Sequence, residues 1–278
     1  TAPGSQGYYY VKCTVDDGRG GEAVDSTGIV VQDSSNIGTG IPVAYYPFNG
    51  NAHDESGLGN HGIVYGAVLT QDRFGNDSSA YYFDGADDYI RVSNNSILNF
   101  RDEISVSLWM KVEQFYSREE YPISHGNWEN RWKISIIPEK RIRWTIKTDS
   151  GIKDLDSDIL LYRDTLYNVT TLYNGSYFEI YVNGQLDASS TWSGLILTTI
   201  IDLTIGQVLP NNPDYNFHGV LDDIRIYNYA LSLEEIQNIY NETGLIERPD
   251  DYLKKSMIIS TYPNPFVKSI SIDYFIKD

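Results

Sequence analysis

The residue with the most demanding position is Asp222. In VLDDIRIY, alternation from Val220 puts Val220, Asp222, Ile224 and Ile226 on one face of a strand, so a carboxylate stands in line with apolar side chains. A bare charge there is costly. It persists if it lies at the strand mouth, finds donors or binds a cation; a hard divalent ion with oxygen ligands would make it a tie between distant segments, and calcium is the leading expectation. Enzyme chemistry finds less support. A retaining glucanase needs paired carboxylates, commonly Glu-x-Asp-x-Glu along a strand, and no Glu-x-Asp occurs in the chain. A sugar lyase needs clustered Tyr, His, Arg and an amide, and His125, Arg131 and Tyr121 come nearest. Gly-x-Ser-x-Gly, a phosphate loop and His-Glu-x-x-His are also missing, so catalysis is not expected.

Recognition of sugars instead needs aromatic faces beside polar groups. Trp144 shares parity with Ile142 and Ile146, and Trp132 with Ile134 and Ile136, which assigns both to a core. Trp109 lies opposite its strand's apolar stripe, beside Ser105, Ser107 and Lys111, a position open to a ligand-facing surface or to packing against another element. Trp128 and Trp192 sit in polar loops. With Tyr116 and Tyr215 in other loops, they form the expected ligand platform.

The elements that must position these residues are strands. Ile104–Val112 and Arg141–Lys147 each carry apolar side chains at every even position, and Tyr177–Val182 alternates and runs into Asn183-Gly184, a two-residue hairpin signal. Only the segment after Ala230 has helical spacing: Ser232 as N-cap, Glu235 completing a capping box, and Leu233, Ile236 and Tyr240 as an apolar stripe. The expected class is therefore all-β, a two-sheet antiparallel jelly-roll sandwich with one short C-terminal helix. The net charge of -17 argues against nucleic acid and anionic membranes as partners, and no apolar run reaches transmembrane length. Cys13 is the only cysteine, which excludes an intrachain disulfide. Thr1 opens without a charged or apolar leader, as in a piece excised from a longer protein.

Several blocks in order resemble the laminin-G-like, concanavalin A-like jelly rolls of secreted bacterial proteins: Val43–Gly57 with Gly59-Asn60-His61-Gly62, Tyr82–Ile90, Ile104–Lys111, Tyr173–Gly184, Leu203–Gly206 and Phe217–Ile239. The resemblance implies a secreted or surface-attached, non-catalytic module that binds a polysaccharide or glycan, or serves as a spacer binding a surface protein. It also implies one calcium between the first loop and the last strand, with Asp54, Asn60, Asp222 and the carbonyl near Gly57 as ligands. By the same reading residues 41–246 are the jelly roll. Residues 1–33 are similar to the end of an immunoglobulin- or polycystic-kidney-disease-like repeat, with strands over Tyr8–Val15 and Ile29–Val31, and residues 34–40 are a linker. Residues 247–278, with Tyr262-Pro263-Asn264-Pro265-Phe266 and an alternating strand Ile270–Phe275, are similar to the start of a type IX secretion sorting domain.

Overall fold

The computed structural model describes residues 41–242 apart from 211 and 213, and the backbones of three strands, 7–16, 22–31 and 271–276. The chain divides into two compact units, Gly40–Glu242 and the paired chain ends. In the latter, β1 (Gly7–Asp16) and β2 (Glu22–Val31) form an antiparallel hairpin, and β18 (Ser271–Ile276) pairs with β1 so that Cys13 stands opposite Ile272. The second strand is longer than the Ile29–Val31 expected. The turn at 17–21 and the Pro263–Pro265 element lie outside the described residues.

Gly40–Glu242 is built on two antiparallel sheets. One runs β12 (Gly151–Asp156), β11 (Ile142–Thr148), β10 (Trp132–Ile136), β9 (Glu120–His125), β16 (Leu203–Ile205), β7 (Tyr89–Val92) and β4 (Gly62–Tyr65). The other runs β15 (Gln185–Thr191), β14 (Tyr177–Val182), β13 (Leu166–Tyr173), β8 (Ile104–Val112), β17 (His218–Tyr227), β6 (Ala80–Asp84) and β5 (Val68–Thr70), with β3 (Ala44–Tyr46) beside β17. The inner faces meet through aromatic side chains: Trp144 of β11 stacks on Phe178 of β14 with ring centroids 5.6 Å apart, and Trp132 and Trp144 are fully buried, as their parity with isoleucines required. Asn183 and Gly184 join β14 to β15 with φ of 50° and 73°, the left-handed pair that a two-residue hairpin demands.

The helix α1 (Leu233–Asn241) has the expected cap: Ser232 Oγ accepts from the Glu235 amide at 3.3 Å, and Glu235 reaches back to the Ser232 amide at 2.8 Å. Its buried stripe differs from the expectation. Ile236 and Ile239 are buried with Leu172, Tyr181, Tyr227 and Leu231, whereas Leu233 in the first turn is half exposed. Tyr240 stacks on Trp109 at 5.8 Å, so of the two positions open to it Trp109 takes packing between sheet and helix.

The alternation expected along β17 fails at one point. Asp222 stands opposite Trp109 and Arg225 opposite Ser107, so three residues of β17 span two of β8, and Asp223 takes up the extra step at φ 46°. Such a bulge inverts facing. Asp222 therefore lies with Trp109 on the helix side, while Ile224 and Ile226 turn into the sandwich core.

Candidate binding groove

The outer face of the strands β9 to β12 carries a concavity. Cross-strand register sets Lys133 beside Thr145 and Thr145 beside Asp154, and Ser135 beside Arg143 and Arg143 beside Asp156. The alternate positions, Trp132, Ile134, Ile136, Ile142, Trp144 and Ile146, fill the core. One sheet therefore presents an apolar inside and a charged outside. A register shift between Ile134 and Ile136 inserts one residue into β9. It turns Tyr121 outward, where Lys133 Nζ lies 4.6 Å from its ring, and leaves Glu120 buried opposite Ile136. Glu120 accepts from the amides of Tyr116 and His218 at 3.2 and 3.3 Å, and burial pushes its carboxyl up to about 7.

Two loops raise the rim. After β9 the chain turns at Gly126 and Asn127, whose Oδ1 accepts from the Glu129 amide at 2.9 Å and Asn130 Nδ2 at 2.6 Å. Arg131 anchors this loop from inside, donating to the carbonyls of Leu197, Leu98 and Phe100. Trp128 is left 45% exposed at the top. On the other side Tyr215, at φ 63°, accepts the Tyr121 amide on its carbonyl at 2.9 Å and sets its ring 5.6 Å from that of Tyr121. A left-handed conformation is rare for an aromatic residue and is held by its surroundings. Between the loops lies a groove of about 400 Å³ lined by Tyr121, Trp128, Lys133, Arg143 and Tyr215, with Glu119, Asn127 and Asp154 also in its lining.

Of the four aromatics expected to form a platform, Trp128 and Tyr215 share this groove. Tyr116 stacks instead on His218, which it holds through Nδ1 at 2.9 Å while Tyr82 holds Nε2 at 3.0 Å. Trp192 lies over the β11–β12 turn, its indole donating to Thr148 Oγ1 at 3.0 Å. Sequence reasoning missed Glu119, Lys133, Arg143 and Asp154. For Lys133, Arg143 and Asp154 the signal was the polar half of strands read only for their apolar half, whereas Glu119 precedes β9 and carried no such signal.

The residues of the expected calcium site are occupied by protein donors. Asp54 accepts from the amides of Tyr45, Ser56 and Asn60 at 2.8 to 2.9 Å and from Ser56 Oγ at 2.8 Å. Asn60 donates to the Val43 carbonyl at 2.7 Å and accepts Asn95 Nδ2 at 2.5 Å, and Gly57 turns the same loop at φ 84°. Asp222 is met by a guanidinium, Arg73 Nη1, 3.1 Å away, and the same Nη1 bonds Asp223. Burial, then the Asp223 charge, raises the Asp222 carboxyl, while Arg73 opposes them. Tyr45 links the two places, donating its amide to Asp54 and its hydroxyl to Asp223 at 2.9 Å. A calcium shell needs six to eight oxygens with free lone pairs. Amides and a cation already fill these, so the donor set as folded does not fit the ion. Of the alternatives open for Asp222, it has found donors.

His125 and Arg131 do not form a lyase cluster with Tyr121. Both are fully buried; burial first, then Arg131, pushes the His125 imidazole down to about 3, and the Arg131 guanidinium is held by carbonyls. Tyr121 faces the groove. Asp84, Asp87 and Asp88 bring carboxylate oxygens within 4.8 Å of one another, but Asp84 accepts the Ala86 amide and Asp88 the Asp84 amide, as in a tight turn.

Comparison with known proteins places this architecture. A model of the concanavalin A-like lectin/glucanases superfamily matches residues 84–237, more than half of the chain. The chain belongs to that superfamily. It is 30% identical over 166 residues to botulinum neurotoxin type X of Clostridium botulinum, covering 55% of this chain and 12% of the toxin. The chain thus spans a small part of that relative. Among solved structures, the ligand binding domain of botulinum neurotoxin serotype D in complex with N-acetylneuraminic acid aligns with a TM-score of 0.59 at 22% identity, over 72% of this chain and 50% of that one. Domain 4 of the extracellular arabinanase AbnA of Geobacillus stearothermophilus, in complex with arabinotriose, aligns with a TM-score of 0.59 at 20% identity, over 72% of this chain and 98% of that one. These likenesses share the two-sheet fold. No helix among the described residues is long and apolar enough to cross a membrane.

Proposed function

We propose that Gly40–Glu242 is a non-catalytic glycan-binding module of an extracellular or surface protein, and that the groove between Trp128 and Tyr215 is its ligand site. The observation that carries this reading is one concavity with two exposed aromatic faces above a polar floor, built on strands whose opposite side is a packed core. Sugar rings stack on aromatic faces and exchange hydroxyl hydrogen bonds with polar side chains, and a rigid sheet holds both in place before the ligand arrives. Carbohydrate complexes of two superfamily folds, with arabinotriose and with N-acetylneuraminic acid, support the ligand class. The arabinanase is extracellular, which supports the location.

The test is a glycan array followed by titration calorimetry with the full chain. Trp128→Ala and Tyr215→Ala are expected to weaken binding at least about tenfold, as for aromatic anchors in other interfaces, while Trp192→Ala leaves it unchanged. Binding to no glycan, or binding indifferent to Trp128, would refute the proposal.

A further inference from the structure

The floor of the groove carries charges already paired among themselves. Lys133, almost fully buried, donates to Glu119 and to Ser135 Oγ at 2.9 Å, with its ammonium over the Tyr121 ring. Arg143 grips Asp156 with Nε at 2.6 Å and Nη2 at 2.8 Å, and gives Nη1 to Glu119 at 3.3 Å. Asp154, exposed at the edge, accepts from Thr145 at 2.5 Å. Two cations thus face three carboxylates, and the donors that could grip a sugar carboxylate as a fork are turned toward Glu119 and Asp156. The net charge of -17 adds a repulsive field for any polyanion.

Resting on the glycan reading above, we infer that the groove selects neutral glycans against acidic ones, and that Glu119 is the residue that sets this choice. Glu119 touches both cations, so it cancels the local field that a uronate or sialic acid would need. Asp154 supplies a carboxylate acceptor for sugar hydroxyls and repels an approaching anion. Specificity here comes from withholding a cation rather than from a dedicated contact.

The experiment titrates the full chain with neutral tri- to pentasaccharides, arabinotriose among them, each against an acidic oligosaccharide of equal length such as trigalacturonate. The wild type is expected to favour the neutral member at least about tenfold. Glu119→Gln removes the carboxylate that neutralises Lys133 and releases Nη1 of Arg143, whose Nε and Nη2 stay on Asp156, and is expected to raise affinity for the acidic member about tenfold or more, with a gain that fades as salt is added. Asp154→Asn, at an exposed position, is expected to shift the ratio in the same direction by less, and serves should Glu119→Gln fold poorly. Equal affinity of the wild type for both members, or no change of ratio in either variant, overturns the inference and leaves glycan binding standing. Binding of neither class removes the glycan reading itself.

Discussion

Replacing Arg73 with Met probes what fastens β17 to the loop before β6. Arg73 is 6% exposed in its side chain, contacts Asp222 at 3.1 Å and also Asp223, and lies with its guanidinium 4.8 Å from the Trp109 ring. The Met side chain retains most of the stem and removes the charge, so two carboxylates, 5% and 11% exposed, are left facing each other. Asp223 keeps the Tyr45 hydroxyl at 2.9 Å and Arg225 Nη2 at 3.8 Å, whereas Asp222 loses its cation, and breaking a buried ion pair from one side in this way costs about 3–5 kcal/mol. For a unit of this size that corresponds to a fall in Tm of about 6–20 °C. The deficit depends on pH. Burial and Asp223 raise the Asp222 carboxyl, and losing Arg73 raises it further, so the neutral form is available at lower pH and the carboxylate must be carried at higher pH. Urea unfolding of wild type and Arg73→Met at about pH 6 and about pH 8.5 is expected to show the larger loss at the higher pH, and Asp222→Asn in the Arg73→Met background to recover part of it. Wild-type stability is expected to be indifferent to chelator and to millimolar calcium. An Arg73→Met variant within about 1 kcal/mol of wild type, or a wild-type midpoint that rises with calcium, refutes the reasoning.

Two further outcomes follow from groups away from the groove. His125, pushed down to about 3 from 6.5, gives stability that is full above about pH 6.5 and is lost as pH falls toward 3, on the order of 3 kcal/mol by about pH 4; His125→Gln should flatten this acid limb in a pH series of urea midpoints, and an unchanged limb would count against it. Ser232→Ala removes the oxygen that caps α1 and is expected to cost about 1 kcal/mol, read as a Tm drop of about 2–4 °C by calorimetry, whereas no change would mean that the packing of Ile236 and Ile239 alone holds the helix.

The sequence by itself determined the class of fold, because strand alternation, an Asn-Gly hairpin and a capping box are local rules that neighbouring residues satisfy without reference to the rest of the chain. Parity alone assigns Trp132 and Trp144 to the core, where both are buried, and the Asn183-Gly184 dipeptide marks a turn that adopts the left-handed angles such a hairpin needs. Loop composition points to Trp128 and Tyr215, but nothing in the sequence says that they meet each other and not Trp192 or Tyr116. That meeting depends on the pairing of β9 with β10 and on two loops far apart in the chain. Tertiary structure alone decided the bulges. An extra residue in β9 turned Tyr121 out, and one at Asp223 moved Asp222 from the core line to the helix side, where Arg73 meets it. A period of two is legible only while neighbouring strands stay in step. A single inserted residue reverses every side chain beyond it, and whether a strand slips is set by its partners across the sheet.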